Sequence, residues 1–104
     1  MKLVVTVTLL LSFLTFPVAA ATDAAALFKA KCAACHGEDG TGNTAMGRKL
    51  NIRSLASPDV QKQTDAQILE ITKKGKGKMP SYDGKISEGD LKALVAHIRK
   101  FKAK

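Results

Sequence analysis

One pentapeptide, Cys32-Ala33-Ala34-Cys35-His36, constrains this chain more than any other part of its sequence. Two cysteines three positions apart, followed directly by a histidine, form the arrangement that attaches haem covalently. On a helical or turn-like backbone the two thiols can reach the vinyl groups on one edge of a porphyrin, and the histidine is then held beneath the iron. Both cysteines of the chain belong to this motif. The sequence therefore predicts one haem c, attached through Cys32 and Cys35, with His36 as an axial iron ligand.

Two other kinds of site use the same residue types. A thioredoxin-like redox pair normally follows a strand in a βαβ unit, and this sequence has no such unit. A tetrahedral zinc site needs four ligands, and after Cys32, Cys35 and His36 only His97 remains. Covalent haem is thus the favoured interpretation of the motif.

For the second axial ligand of the iron the sequence offers several candidates. Met79 lies in an irregular stretch between two predicted helices, where the backbone can bring its thioether over the iron. Met46 comes only ten residues after His36, so its loop would have to pass round the edge of the haem. An iron site that is open or binds water is a further alternative. We predict Met79 as the ligand and place His97 at the surface or at the boundary of the core.

The first 21 residues have the pattern of a cleavable secretory signal. Lys2 precedes an apolar stretch, 3–16, and small residues follow it up to a predicted cleavage after Ala20 or Ala21. An uncleaved membrane anchor is the alternative, although the apolar run is short for a span. We therefore expect a periplasmic protein with one domain, residues 22–104.

Length and charge limit what the remaining 83 residues can do. A domain of this size buries too little apolar surface to be very stable alone, so we expect the haem to complete its core. Without Lys2 the chain keeps 16 Lys and Arg against 9 Asp and Glu, a net charge of +7. This surface favours acidic partners. Nucleic acid is a poor candidate, because one tyrosine and no tryptophan give no stacking platform.

Periodicity and capping residues predict an all-α protein without strands or repeats. Asp23 or Thr22 begins the first helix, Ser57 a short one ending near Gln61, and Thr64 the next, through a capping box with Gln67. That helix ends at Gly75, and the last helix begins at Ser87. Residues 37–57 contain four glycines and are predicted to form a loop. The apolar residues expected to pack are Phe28, Leu50, Ile52, Leu55, Ile68, Leu69, Ile71, Leu91, Leu94, Val95, Ile98 and Phe101.

Together these segments resemble the small, monohaem class I cytochromes c of bacteria, which are related to photosynthetic c-type carriers and to the haem domains of terminal oxidases. The resemblance rests on Leu27-Phe28 before the haem motif, on Gly77-Lys78-Met79-Pro80, and on the last helix, 91–99. It implies a fold of three to four helices around one haem, with His36 and Met79 as ligands and the first helix crossing the last. Such proteins usually have a proline after the haem motif, whose carbonyl accepts the proton of the ligand histidine. Between His36 and Pro58 this chain has none.

The resulting functional expectation is a periplasmic one-electron carrier, not an enzyme, because no paired carboxylates or nucleophile–base set surround the motif. Its expected partners are acidic redox proteins, such as a quinol–cytochrome c reductase and a terminal oxidase. We expect a monomer that meets membranes only through those complexes. A haem enzyme or gas sensor with an open iron site is one alternative, and a dedicated oxidase subunit is another.

Lysines surround Met79 in the sequence, at positions 73, 74, 76, 78 and 85. They are consistent with a ring that docks acidic partners at the haem edge. They are equally consistent with a solvated loop in which Lys73 and Lys74 offset the negative end of a helix.

Overall fold

The computed structural model of the protein describes residues 2–14 and 23–102. Residues 2–14 form neither helix nor strand, and large apolar side chains such as Leu10 and Phe13 are exposed there. The predicted cleavage after Ala20 or Ala21 lies outside the described residues. No helix in the described ranges is long and apolar enough to cross a bilayer.

The regular secondary structure of the described residues is helical and lies between Ala24 and Arg99, which confirms the all-α prediction. Lys76 and Met79 form one isolated antiparallel bridge, and residues 2–14 and 23–102 contain no strand. Three to four helices were predicted, whereas these residues contain six helical segments, three of them only four or five residues long. The segments are α1 (Ala24–Lys31), α2 (Ala33–His36), α3 (Ala45–Lys49), α4 (Pro58–Gln61), α5 (Asp65–Lys74) and α6 (Glu88–Arg99).

Side-chain caps fix the starts of the three longer helices where the sequence predicted them. The Asp23 carboxylate accepts a hydrogen bond from the Ala26 amide at 3.1 Å and begins α1. Thr64 and Gln67 form both bonds of a capping box at the start of α5. Ser87 begins α6. Such caps satisfy amides that have no partner within the helix, each contributing about 1 kcal/mol.

The prediction of a continuous loop over 37–57 was wrong, because α3 lies within it. The Thr44 hydroxyl accepts from the Gly47 amide at 2.8 Å and donates to the Cys35 carbonyl at 2.8 Å. One side chain therefore caps α3 and attaches it to α2. Gly47 packs directly against the carbonyls of Gly42 and Cys35, where a Cβ atom would collide. This glycine is required for close packing, and its tendency to break helices is overcome by that contact.

The core lies where α1 and α5 pack against α6. Phe28, Leu91 and Leu94 are at most 2% exposed. Ile86, which precedes α6 and was not predicted, is also buried. The buried apolar residues are Phe28, Ile68, Ile86, Leu91, Leu94, Val95 and Ile98.

Several residues that were predicted to pack in this core are not fully buried. Leu50, Ile52 and Ile71 are half-buried, and each lines a cavity beside the haem motif. Helix α6 ends at Arg99, before Phe101, yet the Phe101 ring packs 5.3 Å from that of Phe28. The cavities explain the incomplete burial, because these side chains have no protein atoms opposite them.

Candidate haem site

The haem motif occupies the junction between α1 and α2. Cys32 ends α1 and begins α2, and its own amide bonds to the Phe28 carbonyl at 2.8 Å. The His36 amide bonds to the Cys32 carbonyl at 3.0 Å. The motif is therefore wound as one helical turn, with Cys32 and Cys35 on neighbouring positions of one face. Both cysteines are half-buried, and no disulfide joins them.

Two adjacent cavities open beside this turn. The larger, of about 440 Å³, is lined by Cys32, Cys35, His36 and Met79, together with apolar side chains such as Leu50. This volume lies within the range of about 300–1,000 Å³ that is common for cofactor sites. The four residues predicted to bind haem thus come together at one cavity, although Met79 is 43 positions after His36 in the sequence.

The smaller cavity, of about 140 Å³, lies between the motif and the core. It shares Cys32, His36 and Met79 with the larger one, and its other walls are mainly apolar. Those walls come from α1, α4, α5 and α6 and from the segments before and after α4: Phe28, Leu55, Val60, Gln63, Ile68, Ile71, Thr72, Leu94 and Ile98. The space beside His36 is therefore bounded by the hydrophobic core, which suits a flat, largely apolar group.

The other candidate ligands lie elsewhere. Met46 is on α3, 44% exposed, and lines neither cavity. His97 also lies outside both cavities and packs against Phe28 in a tilted and Phe101 in an edge-to-face arrangement, with ring centroids 5.1 and 5.0 Å away. It is half-buried at the edge of the core, the boundary position predicted from the sequence.

Burial determines the protonation of the motif. It raises the pKa of the Cys32 thiol to about 11, with a further contribution from Cys35. Before haem is attached, this thiol is therefore protonated near neutral pH, unlike the low-pKa cysteine of a redox-active pair. Burial also lowers the pKa of His36, which keeps the imidazole neutral and its lone pair available to a metal.

The His36 ring has an unusual hydrogen-bonding state. Its Nδ1 atom is fully buried and has no hydrogen-bond partner among the described residues. A buried polar nitrogen without a partner costs free energy, on the order of 1–3 kcal/mol. The carbonyl that would accept its proton in the related cytochromes belongs to a proline that this chain lacks. The neutral, half-buried ring nevertheless fits a covalent haem, because it lies beside the two cysteines at an apolar cavity.

A short turn presents Met79 to the cavities. Lys76 and Met79 exchange two backbone hydrogen bonds of 3.2 and 2.9 Å. Gly75, which ends α5, adopts φ 78° and ψ 171°, a region almost restricted to glycine. A Cβ atom at Gly75 would lie 2.5 Å from the Met79 carbonyl oxygen. The chain thus turns back so closely that Met79 and Pro80 pack on the end of α5.

Tyr82 and Thr72 are among the residues of the site that the sequence predictions missed. Tyr82 lines the larger cavity, and its hydroxyl donates to the Lys31 carbonyl at 2.9 Å. Burial raises the pKa of this phenol. Thr72 is buried beside the smaller cavity and donates its hydroxyl proton to the Ile68 carbonyl. Tyr82 is the single tyrosine of the chain and lies three positions after Met79, a signal that could have identified it.

Lysines also border the larger cavity, but not all of those that the sequence indicated. Lys76 and Lys78 line it, together with Lys31 and Lys49. The predicted Lys73 and Lys74 are instead paired, with Glu88 and Glu70 respectively, both at 3.2 Å, and Lys85 lines neither cavity. We call the four lining residues, Lys31, Lys49, Lys76 and Lys78, the lysine rim.

An all-helical fold with a Cys-x-x-Cys-His turn at an apolar cavity defines the class of c-type haem proteins. A family model described as cytochrome c oxidase, cbb3-type, subunit III matches residues 19–98. Cytochrome c6 of Synechococcus sp. is 32% identical over 98 residues, covering 92% of this chain and 85% of that protein. The chain belongs to the cytochrome c family, as a small class I c-type cytochrome. Its cofactor is accordingly covalently bound haem c.

Other relatives include parts of larger proteins. The cbb3-type cytochrome c oxidase subunit FixP of Azorhizobium caulinodans is 35% identical over 79 residues, 76% of this chain but 26% of FixP. This chain therefore spans about a quarter of that relative. Among solved structures, the KustC0563 c-type cytochrome matches with a TM-score of 0.72 and 33% identity, covering 79% of this chain and all of that one. By name these relatives are c-type cytochromes or a subunit of an oxidase.

Proposed function

We propose that this chain is a periplasmic one-electron carrier whose single haem c is attached through Cys32 and Cys35 and ligated by His36 and Met79. The observation that carries the proposal is the convergence of these four side chains on one cavity. When bound, the haem supplies reversible one-electron exchange between ferric and ferrous iron, and a thioether ligand favours the ferrous state.

The residues around the cavity suit a carrier. His36 offers a neutral imidazole, and Met79 offers a thioether on a turn fixed by Gly75. None of the described residues that line the two cavities is Asp or Glu, so they provide no carboxylate for acid–base catalysis. Two protein ligands would leave no iron position for a substrate.

The visible spectrum of the ferric protein tests the ligation. A weak charge-transfer band reports a methionine–iron bond, and we expect the parent protein to show it. Met79→Ala should abolish the band, lower the reduction potential by an amount on the order of 100 mV, and admit carbon monoxide to ferrous iron. Met46→Ala is the matched control and should change none of the three. A Met79→Ala protein with the parent's band and potential would overturn the assignment, and a parent without the band would favour a haem enzyme or sensor.

The lysine rim supports recognition of an acidic redox partner. Four lysines border the cavity, and its described lining contains no acidic residue to neutralise them. Opposite charge on a partner would speed association in a salt-dependent way. Lys76→Gln/Lys78→Gln should slow electron exchange with an acidic partner at low salt, whereas Lys92→Gln, whose residue lines neither cavity, should not. Rates of electron exchange that do not change with ionic strength would count against recognition by the lysine rim.

A second candidate function is a subunit of one terminal oxidase. The cbb3-type family match and the similarity to FixP favour it. Fractionation of the native cells into periplasm and membrane distinguishes the carrier from the oxidase subunit. A carrier is recovered in the periplasmic fraction after removal of residues 1–21, whereas a subunit co-purifies with the oxidase. N-terminal sequencing of the purified protein establishes whether cleavage follows Ala20 or Ala21.

A further inference from the structure

The segment that carries Met79 is attached to the rest of the fold by a small number of hydrogen bonds. The Ser81 hydroxyl and the Tyr82 amide both donate to the Lys73 carbonyl, at 3.1 and 2.9 Å. Lys73 lies in the last turn of α5, where carbonyls have no partner within the helix. These two bonds hold the segment against α5, but they do not connect it to the haem motif.

Tyr82 makes the connection to the motif. Its hydroxyl donates to the carbonyl of Lys31, a residue 51 positions earlier, at 2.9 Å. Lys31 is the last residue of α1 and directly precedes Cys32. Its carbonyl also lacks an intrahelical partner, so the phenol satisfies it. Among the described residues, this is the hydrogen bond that joins residues 79–82 to α1.

The position of the phenol relates this bond to the iron ligands. Tyr82 lines the same cavity as Cys32, His36 and Met79. Its ring therefore closes one wall of the cavity, and its hydroxyl attaches that wall to the residue next to the first haem cysteine. Movement of Met79 away from the cavity would carry Tyr82 with it, because only two residues separate them.

We propose that Tyr82 is a positioning residue for Met79, acting through its hydrogen bond to the Lys31 carbonyl. The bond joins the segment that bears Met79 to the end of α1, which leads directly into the haem motif and His36. This inference rests on the proposed ligation by His36 and Met79. It predicts that loss of the hydroxyl favours displacement of Met79 by an external ligand.

Imidazole binding to the ferric holoprotein tests the inference. Tyr82→Phe removes the hydroxyl and keeps the ring, and we expect imidazole to bind roughly 2- to 12-fold more tightly, the equivalent of one net hydrogen bond. The methionine–iron band should also disappear at a correspondingly lower imidazole concentration. Ser81→Ala is the matched control, because it removes a bond from the same segment to α5. Its imidazole affinity should stay within twofold of the parent's.

Global stability is measured on both variants by guanidinium unfolding, so that a general loss of stability is distinguished from a specific one. Equal imidazole affinity in Tyr82→Phe and the parent would overturn the inference, as would equal tightening in both variants. A parent protein without the methionine–iron band would overturn the proposed ligation instead, and this inference with it.

Discussion

The two sides of the haem motif are stabilised by different means. On one side α1 packs against α6 with side chains, and Phe28, Leu91 and Leu94 are almost completely buried. On the other side, the Met79 segment faces a cavity of about 440 Å³ and is held by backbone turns and single hydrogen bonds. Protein side chains alone therefore pack the first region, which we call the filled side. The second region, the cavity side, depends on haem for its packing. The two halves of a very small domain thus differ in what packs them, protein side chains in one and haem in the other.

This difference predicts the largest effect for loss of the haem itself. The exported variant Cys32→Ala/Cys35→Ala cannot form thioether links, and the cavity side should lose its packing. We expect most of the far-UV helical signal and the cooperative thermal transition to disappear, since a domain of this size is marginal without a staple. A haem-free variant that melts cooperatively near the parent's temperature would show that the cavity side is stable alone.

The next largest effect should come from the filled side. Leu91→Ala deletes a side chain that is 1% exposed and should cost about 2–5 kcal/mol of unfolding free energy. Ile52→Ala should cost less, because Ile52 lines an open cavity and its truncation leaves no enclosed void in the protein core. Guanidinium unfolding of the two holoproteins measures both values. Equal losses of unfolding free energy would show that the two regions do not differ in how much their protein side chains contribute to stability.

A glycine pair sharpens the comparison within the Met79 segment. Gly75→Ala introduces a Cβ atom 2.5 Å from the Met79 carbonyl oxygen, in a backbone region that costs non-glycine residues about 1–3 kcal/mol. We expect it to weaken the methionine–iron band and to lower the denaturation midpoint.

Gly77→Ala is the matched control for that substitution. Gly77 also has a positive φ, of 57°, but a Cβ atom there would meet nothing within 4 Å. Its cost should be limited to the backbone term of about 1–2 kcal/mol, with the band retained. Loss of the band in both variants would indicate general loosening of the segment, with no specific contact at Gly75.

The smallest effect concerns pH and the filled side. Burial lowers the pKa of His97 below its ordinary value of 6.5, with a further contribution from Lys100 and opposition from Asp23. The folded protein thus binds this proton less readily than the unfolded chain. The contribution of neutral His97 to the free energy of unfolding should be fully present above pH 6.5. It should be lost as the pH decreases through that value towards the folded pKa.

Unfolding midpoints between pH 8 and pH 5 test this, with His97→Phe as the comparison. The aromatic replacement keeps the contacts with Phe28 and Phe101 and removes the titration. The parent should lose slightly more stability on acidification than the variant. Parallel pH profiles would show that His97 does not contribute.

The filled side was largely predictable from sequence. The stripe along α6 and the caps at Asp23, Thr64 and Ser87 depend on local spacing, which the sequence displays directly. Helix α3 was not predictable in this way. Its stability depends on Thr44 bonding to the Cys35 carbonyl and on Gly47 packing against backbone, and both contacts appear only in the folded chain.

The cavity side was predictable in its chemistry but not in its attachments. The spacing of the haem motif and the setting of Met79 identified the four candidate haem-binding residues. The bond from Tyr82 to Lys31 spans 51 positions, and no local pattern indicates it. The lysine rim likewise depends on which lysines the fold places at the cavity. Lys73 pairs with Glu88 of α6, whereas Lys74 pairs with Glu70 within α5, an i, i+4 spacing that the sequence does display.

Intact mass spectrometry of the exported, matured protein tests the account most directly. We predict a polypeptide carrying the added mass of one haem, with a peptide of residues 32–36 modified at both cysteines. A polypeptide without that mass, in which the two sulfurs are free or joined to each other, would contradict the account.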